Sequence, residues 1–242
     1  MQEGSKPVCE RFACLAISRM GFEVPHGRCI AGISLDTGSW IRLFGSSSSG
    51  AIESELIHYR NQPRTPCRVL DLFNVELGEP RPTNVHPEDV DLRRSEFTFV
   101  RRFDQQEDIE FLKGHLEENG PLLHSYSSNG ISADDPLLKR RLSHSLSIIQ
   151  PEQLHWKVGP HPCYPNRLRV EADFRFDEDP YLLVLTDPLW EARCLRFGQG
   201  RHPHSTIAGE AMRQVMLTIS LAGAPYSGYH HKLAAGVVNL PT

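Results

Sequence analysis

The densest chemistry in the sequence lies between Arg193 and Arg213. Arg193, Arg196, Arg201 and Arg213 stand there against a single acid, Glu210, with His202 and His204 as further hydrogen-bond donors and Gly198, Gly200 and Gly209 between them. A guanidinium offers a planar fork of donors that fits a phosphate, and glycine lets main-chain N–H groups approach an anion closely. The stretch reads either as a phosphate or nucleic-acid contact or as a solvated, arginine-rich loop. Trp40 precedes Arg42, and Trp190 precedes Arg193, at similarly short spacing. Exposed rings that stack on bases beside cations that follow the backbone are how single-strand binders work, whereas a buried ring only fills a core. Both uses stay open for both tryptophans.

Other groups weigh against catalysis. The sequence holds 12 histidines, with His202-Pro-His204 and His230-His231 clustered late. On a strand, His202 and His204 would share one face and could ligate a metal with Asp187 or Glu191. Pro203 and the neighbouring glycines favour a loop instead, so no metal is assigned. Glu88-Asp89-Asp91 and Asp177-Glu178-Asp179 read as turns rather than as an acid/base pair. G-x-S-x-G, the phosphate-binding G-x-x-x-x-G-K-[ST], H-E-x-x-H and a dinucleotide-binding G-x-G-x-x-G are all missing, so a non-enzymatic protein without a cofactor is expected.

Charge limits the partners. Lys+Arg number 26 against 30 Asp+Glu, a net charge of −4, and 21 of the 26 cations are arginine. Divided at residue 150, the chain carries +17/−21 before and +9/−9 after, so neither half suits broad, salt-driven DNA binding. A nucleic-acid contact must rest on a local patch. The six cysteines form no C-x-x-C pair and read as free thiols. The N-terminus lacks a basic start followed by a long apolar run, and no apolar run is long enough to span a bilayer. A cytoplasmic protein that avoids membranes is expected.

The elements that must position these residues are short. Leu168, Val170, Ala172, Phe174 and Phe176 alternate with Arg167, Arg169, Glu171, Asp173 and Arg175 over ten residues, the period of a half-buried strand. After an Asp/Pro turn, Tyr181–Thr186 reads as a strand buried on both faces and as its hairpin partner, with Leu168, Val170, Phe174 and Phe176 facing the core. Asp187-Pro188 reads as another turn. Alternation returns at Val215–Leu221, and Lys232–Val238 is a last strand. Ala13–Ser18, Cys29–Leu35, Trp40–Phe44, Val69–Leu77 and Phe97–Arg101 are similar runs near the front. Gln105–Asn119 reads as a helix with Asp104 as N-cap, and Asp135-Pro136 starts a second, short one reaching Leu142. The 36 glycines and prolines in 242 residues fit a chain of many turns. Ten to twelve short strands with one or two helices predict a mainly β protein of two small antiparallel barrels or sandwiches. The expected division is residues 1–103, a helical connector at 104–144, and residues 145–242. Leu15–Ser18 with Ala31-Gly32-Ile33 also matches Leu217–Ser220 with Ala235-Gly236-Val237, as an internal repeat would.

Several motifs carry a resemblance. Cys29-Ile-Ala-Gly-Ile33 followed by Thr37-Gly-Ser-Trp-Ile-Arg42, then His86-Pro-Glu-Asp89, Ser145–Glu152, Leu185–Glu191 and Lys232–Val237, resemble the dual-OB-fold domain family of bacterial proteins. The resemblance covers nearly the whole chain. It implies two OB-like barrels in tandem and a nucleic-acid-binding role in a bacterial nucleic-acid processing or defence system, and it implies no catalytic residues. Lys232, at the head of the last motif, joins the candidate contacts Trp40, Arg42, Trp190, Arg193, Arg196, Arg201, His202 and His204. Single-stranded or locally opened DNA or RNA is the expected ligand. An adaptor that holds a partner protein is the rival reading, and a small metal-dependent hydrolase or nuclease using the histidines and acids of 187–231 is a third.

Overall fold

The computed structural model describes residues 8–20, 26–47, 50–54, 57–93, 97–128, 130–209 and 214–240. The chain divides into two compact units, residues 1–83 with 88–103 and residues 84–87 with 104–242.

The first unit contains β1 (Val8–Arg19), β2 (Gly27–Ser34), β3 (Trp40–Phe44), β4 (Ile52–Glu53), β5 (His58–Tyr59), β6 (Gln62–Pro66), β7 (Asp71–Pro80), β8 (Asp89–Leu92) and β9 (Thr98–Arg102). Five of these strands close a barrel in the order β1-β2-β3-β8-β7 and back to β1, with β3 and β8 parallel and the other neighbours antiparallel. β1 borders both β2 and β7 because it bends. Residues 8–13 pair with β7, residues 12–19 pair with β2, and a register shift at Cys14/Ala16 lies where the two pairings meet. Gly32 lies beside that bend. A Cβ there would fall 2.0 Å from the Ala13 carbonyl oxygen, so only glycine lets β2 come so close. Phe12, Phe73 and Phe97 fill the interior, with ring centroids 5.1 and 4.8 Å apart along the row.

The second unit contains α1 (Gln106–Lys113), β10 (Ile131–Ser132), β11 (Leu146–Ile149), β12 (Glu152–His161), β13 (Tyr164–Phe176), β14 (Asp179–Leu185), α2 (Pro188–Leu195), β15 (Gly200–Pro203), α3 (His204–Ala208), β16 (Gln214–Leu221), β17 (Tyr229–His230) and β18 (Lys232–Leu240). Its sheet runs β11-β16-β18-β14-β13-β12-β15, and β14 and β18 are parallel. β11 and β12 are consecutive stretches broken at Gln150-Pro151, so one length of chain borders β16 first and β13 next. Taken as one bent first strand, they repeat the path of the first barrel. The two parallel pairs, β3 with β8 and β14 with β18, hold the third and fifth places in each. The protein is thus mainly β, with two OB-like barrels.

The alternation at 167–176 forms as expected. β13 pairs with β14 from Glu171↔Val184 to Phe176↔Asp179, and Val170, Ala172, Phe174 and Phe176 are buried. Leu168 is the exception. It is 37% exposed, because β14 covers β13 only from Glu171 onward. The helix at 105–119 is shorter than its periodicity suggests. It ends at Lys113, and Gln105, not Asp104, stands at the N-cap, its N–H donating to Asp108 Oδ2 at 3.0 Å. Asp187-Pro188 begins a helix rather than a simple turn. Asp187 Oδ1 accepts from the N–H groups of Leu189 and Trp190, both at 3.0 Å, and Pro188 takes the first helical position. The apparent repeat aligns β1 with β16 and β2 with β18, which are first with fourth and second with fifth strands. It therefore reflects similar buried strands and does not mark the correspondence between the barrels.

Leu122, Leu123, Ile131, Leu138 and Leu142, from the stretch between the barrels, are buried in the second core together with Trp156 and Leu217. Among the described residues no helix is long and apolar enough to cross a membrane.

Candidate nucleic-acid interface

The strict alternation of β12 and β13 sends their charged residues outward. Lys157 lies across from Glu171 on one side and from Arg201 of β15 on the other, Gly159 lies across from Arg169, and His155 from Asp173. Lys157, Arg167, Arg169, Arg175 and Arg201 thus share this face with three acids, Glu152, Glu171 and Asp173. Arg201 Nε is 2.7 Å from Asp173 Oδ2, and Lys157 Nζ is 3.8 Å from Glu171 Oε2. The side chains of Arg201 and Lys157 remain 55% and 51% exposed, so these pairs add about 0–1 kcal/mol and mainly orient the cations.

At one end of this face two loops meet. One is the turn between β12 and β13, and the other runs from β16 to β18 through β17. Tyr164 is 45% exposed, with its ring 4.9 Å from that of His161 and the Arg167 guanidinium 5.5 Å above it. Tyr226 is 64% exposed and lies 6.0 Å from the His231 ring, which is 6.2 Å from Tyr229. Main-chain bonds of 2.9 and 3.0 Å between Tyr226 and Tyr229 close the turn that carries both rings, and His231 Nε2 lies 2.9 Å from the Tyr226 carbonyl oxygen. Cys163 Sγ, 3.5 Å from the Tyr226 hydroxyl, ties the two loops together. In strand order these loops join first to second and fourth to fifth strands. An OB fold holds oligonucleotides with the corresponding loops.

The residues singled out in the sequence fall into two groups. Arg196 and Arg201 are exposed, and Arg193, His202 and Trp40 are half-buried. The His202 Nε2 lies 3.0 Å from the Gly198 carbonyl oxygen, and Arg193 donates to the Ala208 carbonyl oxygen at 2.8 Å. Arg42, Trp190, His204 and Lys232 belong to the interior and cannot present themselves to a ligand as they stand. Arg42 Nε is 2.7 Å from Asp89 Oδ1, and burial pushes the Asp89 carboxyl up while Arg42 pulls it down. Trp190 stacks on His204 at 5.4 Å and lies 5.6 Å from Trp156, with the Arg193 guanidinium 5.1 Å over its ring. Trp156 Nε1 donates to His204 Nδ1 at 3.2 Å, which leaves the His204 proton on Nε2 to reach Asn239 Oδ1 at 3.0 Å. Burial lowers the His204 pKa, in keeping with this neutral tautomer. The Lys232 ammonium donates to the carbonyl oxygens of Ser125 and Ser127 beneath the Tyr181 ring, and burial pulls its pKa down to about 8. Arg213 and Glu210 lie outside the described residues.

The histidines and acids of 187–231 do not converge. Asp187 caps α2, His204 serves Trp156 and Asn239, His202 faces Gly198, and His230 Nδ1 lies 3.0 Å from the Ala222 carbonyl oxygen. Among the described residues no group of three His, Cys, Asp or Glu side chains could hold a metal ion. The exposed rings of Tyr164 and Tyr226, and the half-buried Tyr229 beside them, escaped the sequence reading. Their signal there is aromatic residues within turn sequence, Pro162-Cys-Tyr164 and Tyr226-Ser-Gly-Tyr229, at loops that meet only in the fold.

A family model described as a dual OB-containing domain matches residues 10–237. The crystal structure of the tetrameric p202 HIN2 aligns over 99% of this chain and 100% of that one, at 6% sequence identity and a TM-score of 0.29. A likeness at that level supports no statement about fold or function. No curated protein matches the chain.

Proposed function

The chain belongs to the dual OB-containing domain family, and from that premise we propose that it binds single-stranded or locally opened nucleic acid through the second barrel. OB folds as a class bind nucleic acids or proteins. The observation that carries the finer reading is the pair of exposed rings, Tyr164 and Tyr226, with the half-buried Tyr229 beside them, on the two loops at the end of the cationic face of β12, β13 and β15. A single strand offers bases to stack and a phosphate backbone to follow, and rings beside Arg167, Arg169 and Arg201 match both. A duplex hides its bases, and the net charge of −4 supplies no general attraction to it. Arg193 in the last turn of α2 and Arg196 just after it extend the cationic set, with His202 of β15 as a further hydrogen-bonding group. The binding is non-enzymatic, and a bacterial nucleic-acid processing or defence system is the setting the family resemblance supports.

Polarisation titrations with labelled single-stranded and duplex DNA and RNA, each at two salt concentrations, test the reading. Single strands should bind more tightly than duplex, and more weakly as salt rises. Equal binding of duplex would refute the stacking model. A protein partner is the second reading, favoured by Leu189, 66% exposed on α2, and Phe197, 43% exposed just after it. Absence of binding to any oligonucleotide at low salt would leave that reading.

A further inference from the structure

The first barrel carries a cleft of about 450 Å³ lined by residues of β3, β7, β8 and the chain just beyond them. That volume falls within the range of small-molecule sites, ~300–1,000 Å³. Its floor is built in layers. Gly50 lies against one side of the Phe44 ring so closely that a Cβ would stand 2.3 Å from it, and its φ of +74° is one that glycine adopts freely. Phe44 in turn carries the Arg81 guanidinium 5.1 Å from its centroid. Arg81 Nε is held 2.9 Å from Asp91 Oδ1, yet the Arg81 side chain stays 55% exposed. The planar Arg81 guanidinium is thereby held over the Phe44 ring at the lining of the cleft, with more than half of its side chain exposed. Glu79 and Arg93 complete the charged lining.

A plate of this kind does not suit a bare anion. Asp91 already offsets the Arg81 charge, and two acids balance two arginines around the cleft. It does suit a nucleobase, since guanidinium planes stack on bases and a carboxylate accepts from an exocyclic amino group. We propose that this cleft is a nucleobase site, in which an amino-bearing base stacks on Arg81 and donates to Glu79. The proposal extends the nucleic-acid reading to the first barrel, but its geometry does not depend on the second.

The test follows the Arg81 Nε–H resonance of the full chain during titration with cytidine monophosphate, uridine monophosphate and ribose 5-phosphate. Cytidine monophosphate should shift it saturably at millimolar concentration, uridine monophosphate should bind several-fold more weakly, and ribose 5-phosphate should leave it unmoved. The Arg81→Lys protein keeps the charge and loses the plate. Followed through the Leu92 methyl groups, it should lose most of the cytidine response. Equal shifts by ribose 5-phosphate would mean an anion site, equal shifts by the uridine nucleotide would remove the Glu79 contact, and a full response in Arg81→Lys would remove the plate. Any of these overturns the proposal, as does the absence of a shift. Tyr164→Ala and Tyr226→Ala should not alter the cytidine response, so failure at the tip of the second barrel and failure here are read separately.

Discussion

Arg42 in the first barrel and Arg201 in the second make the same contact. Each places Nε 2.7 Å from an aspartate oxygen, Asp89 in one case and Asp173 in the other. Their surroundings differ completely. The Arg42 and Asp89 side chains are 7% and 4% exposed, whereas those of Arg201 and Asp173 are 55% and 33% exposed. A buried pair is costly to break, because the partner left behind is a charge out of water, and an exposed pair barely matters to stability. Burial, not the contact, decides whether an arginine serves the fold or remains available to a ligand. The barrels as wholes differ in the same way. They share a strand path, but among the described residues only the second sets exposed aromatic rings beside cations on neighbouring strands and loops.

The largest effect expected from this contrast is on folding. Arg42→Ala should destabilise the protein by about 3–5 kcal/mol, read from chemical denaturation, with Arg201→Ala costing less than about 1 kcal/mol. Equal costs would remove the distinction. Trp190→Ala belongs with Arg42, as a core truncation worth ~3–5 kcal/mol, since its ring packs on Trp156 and His204. Normal stability combined with lost oligonucleotide binding in that variant would return Trp190 to the surface.

Lys232 gives the next effect, and its sign is the reverse of an ordinary ion pair. Its pKa is about 8 in the folded protein against an ordinary 10.5, so between those values the unfolded chain binds the extra proton. Stability contributed by this group therefore rises with pH across that window, by about 3 kcal/mol at most, at 1.36 kcal/mol per pH unit. The bonds to Ser125 and Ser127 favour the charged form and reduce this. Denaturation of wild type and Lys232→Met from pH 7 to pH 11 isolates it, because only wild type should show the rise. A wild-type curve parallel to that of the variant would show that Lys232 titrates normally.

Smaller effects fall on binding. Tyr164→Ala and Tyr226→Ala should each weaken single-strand affinity by ~1–3 kcal/mol while moving stability by less than about 0.5 kcal/mol. Arg201→Ala should lower affinity alike for all sequences and flatten the salt dependence by about one phosphate. An unchanged slope would make Arg201 a solvated side chain only.

The strand of 167–176 was legible because its period-two pattern is local, and each outward charge follows from the inward neighbour beside it. What ends that pattern is not local. Leu168 is exposed because β14 stops short of it, and nothing near Leu168 in sequence records the length of a strand that begins at Asp179. Asp187-Pro188 carried the right signal with two meanings, since Asp before Pro opens a turn as well as a helix. α2 has only eight residues, too few for its periodicity to decide. Burial of Trp190 and Arg42 was illegible for a plainer reason. Trp190 is covered by residues from β12 and α3, and Arg42 meets an aspartate 47 positions away. The rings at the tip come from loops more than 60 residues apart, so the site exists only once the barrel has formed.

Alkylation of Cys163 tests most directly whether that tip binds nucleic acid. Cys163 is exposed, touches Tyr226 and lies between the two loops, while Cys9, also exposed, lies on β1 of the first barrel and serves as the reference within the same sample. With a short single-stranded oligonucleotide present, the rate of Cys163 modification, measured by peptide mass spectrometry, should fall severalfold while Cys9 keeps its rate. If Cys163 reacts at its free-protein rate at oligonucleotide concentrations that saturate the polarisation signal, the strand binds elsewhere and the tip is not the interface.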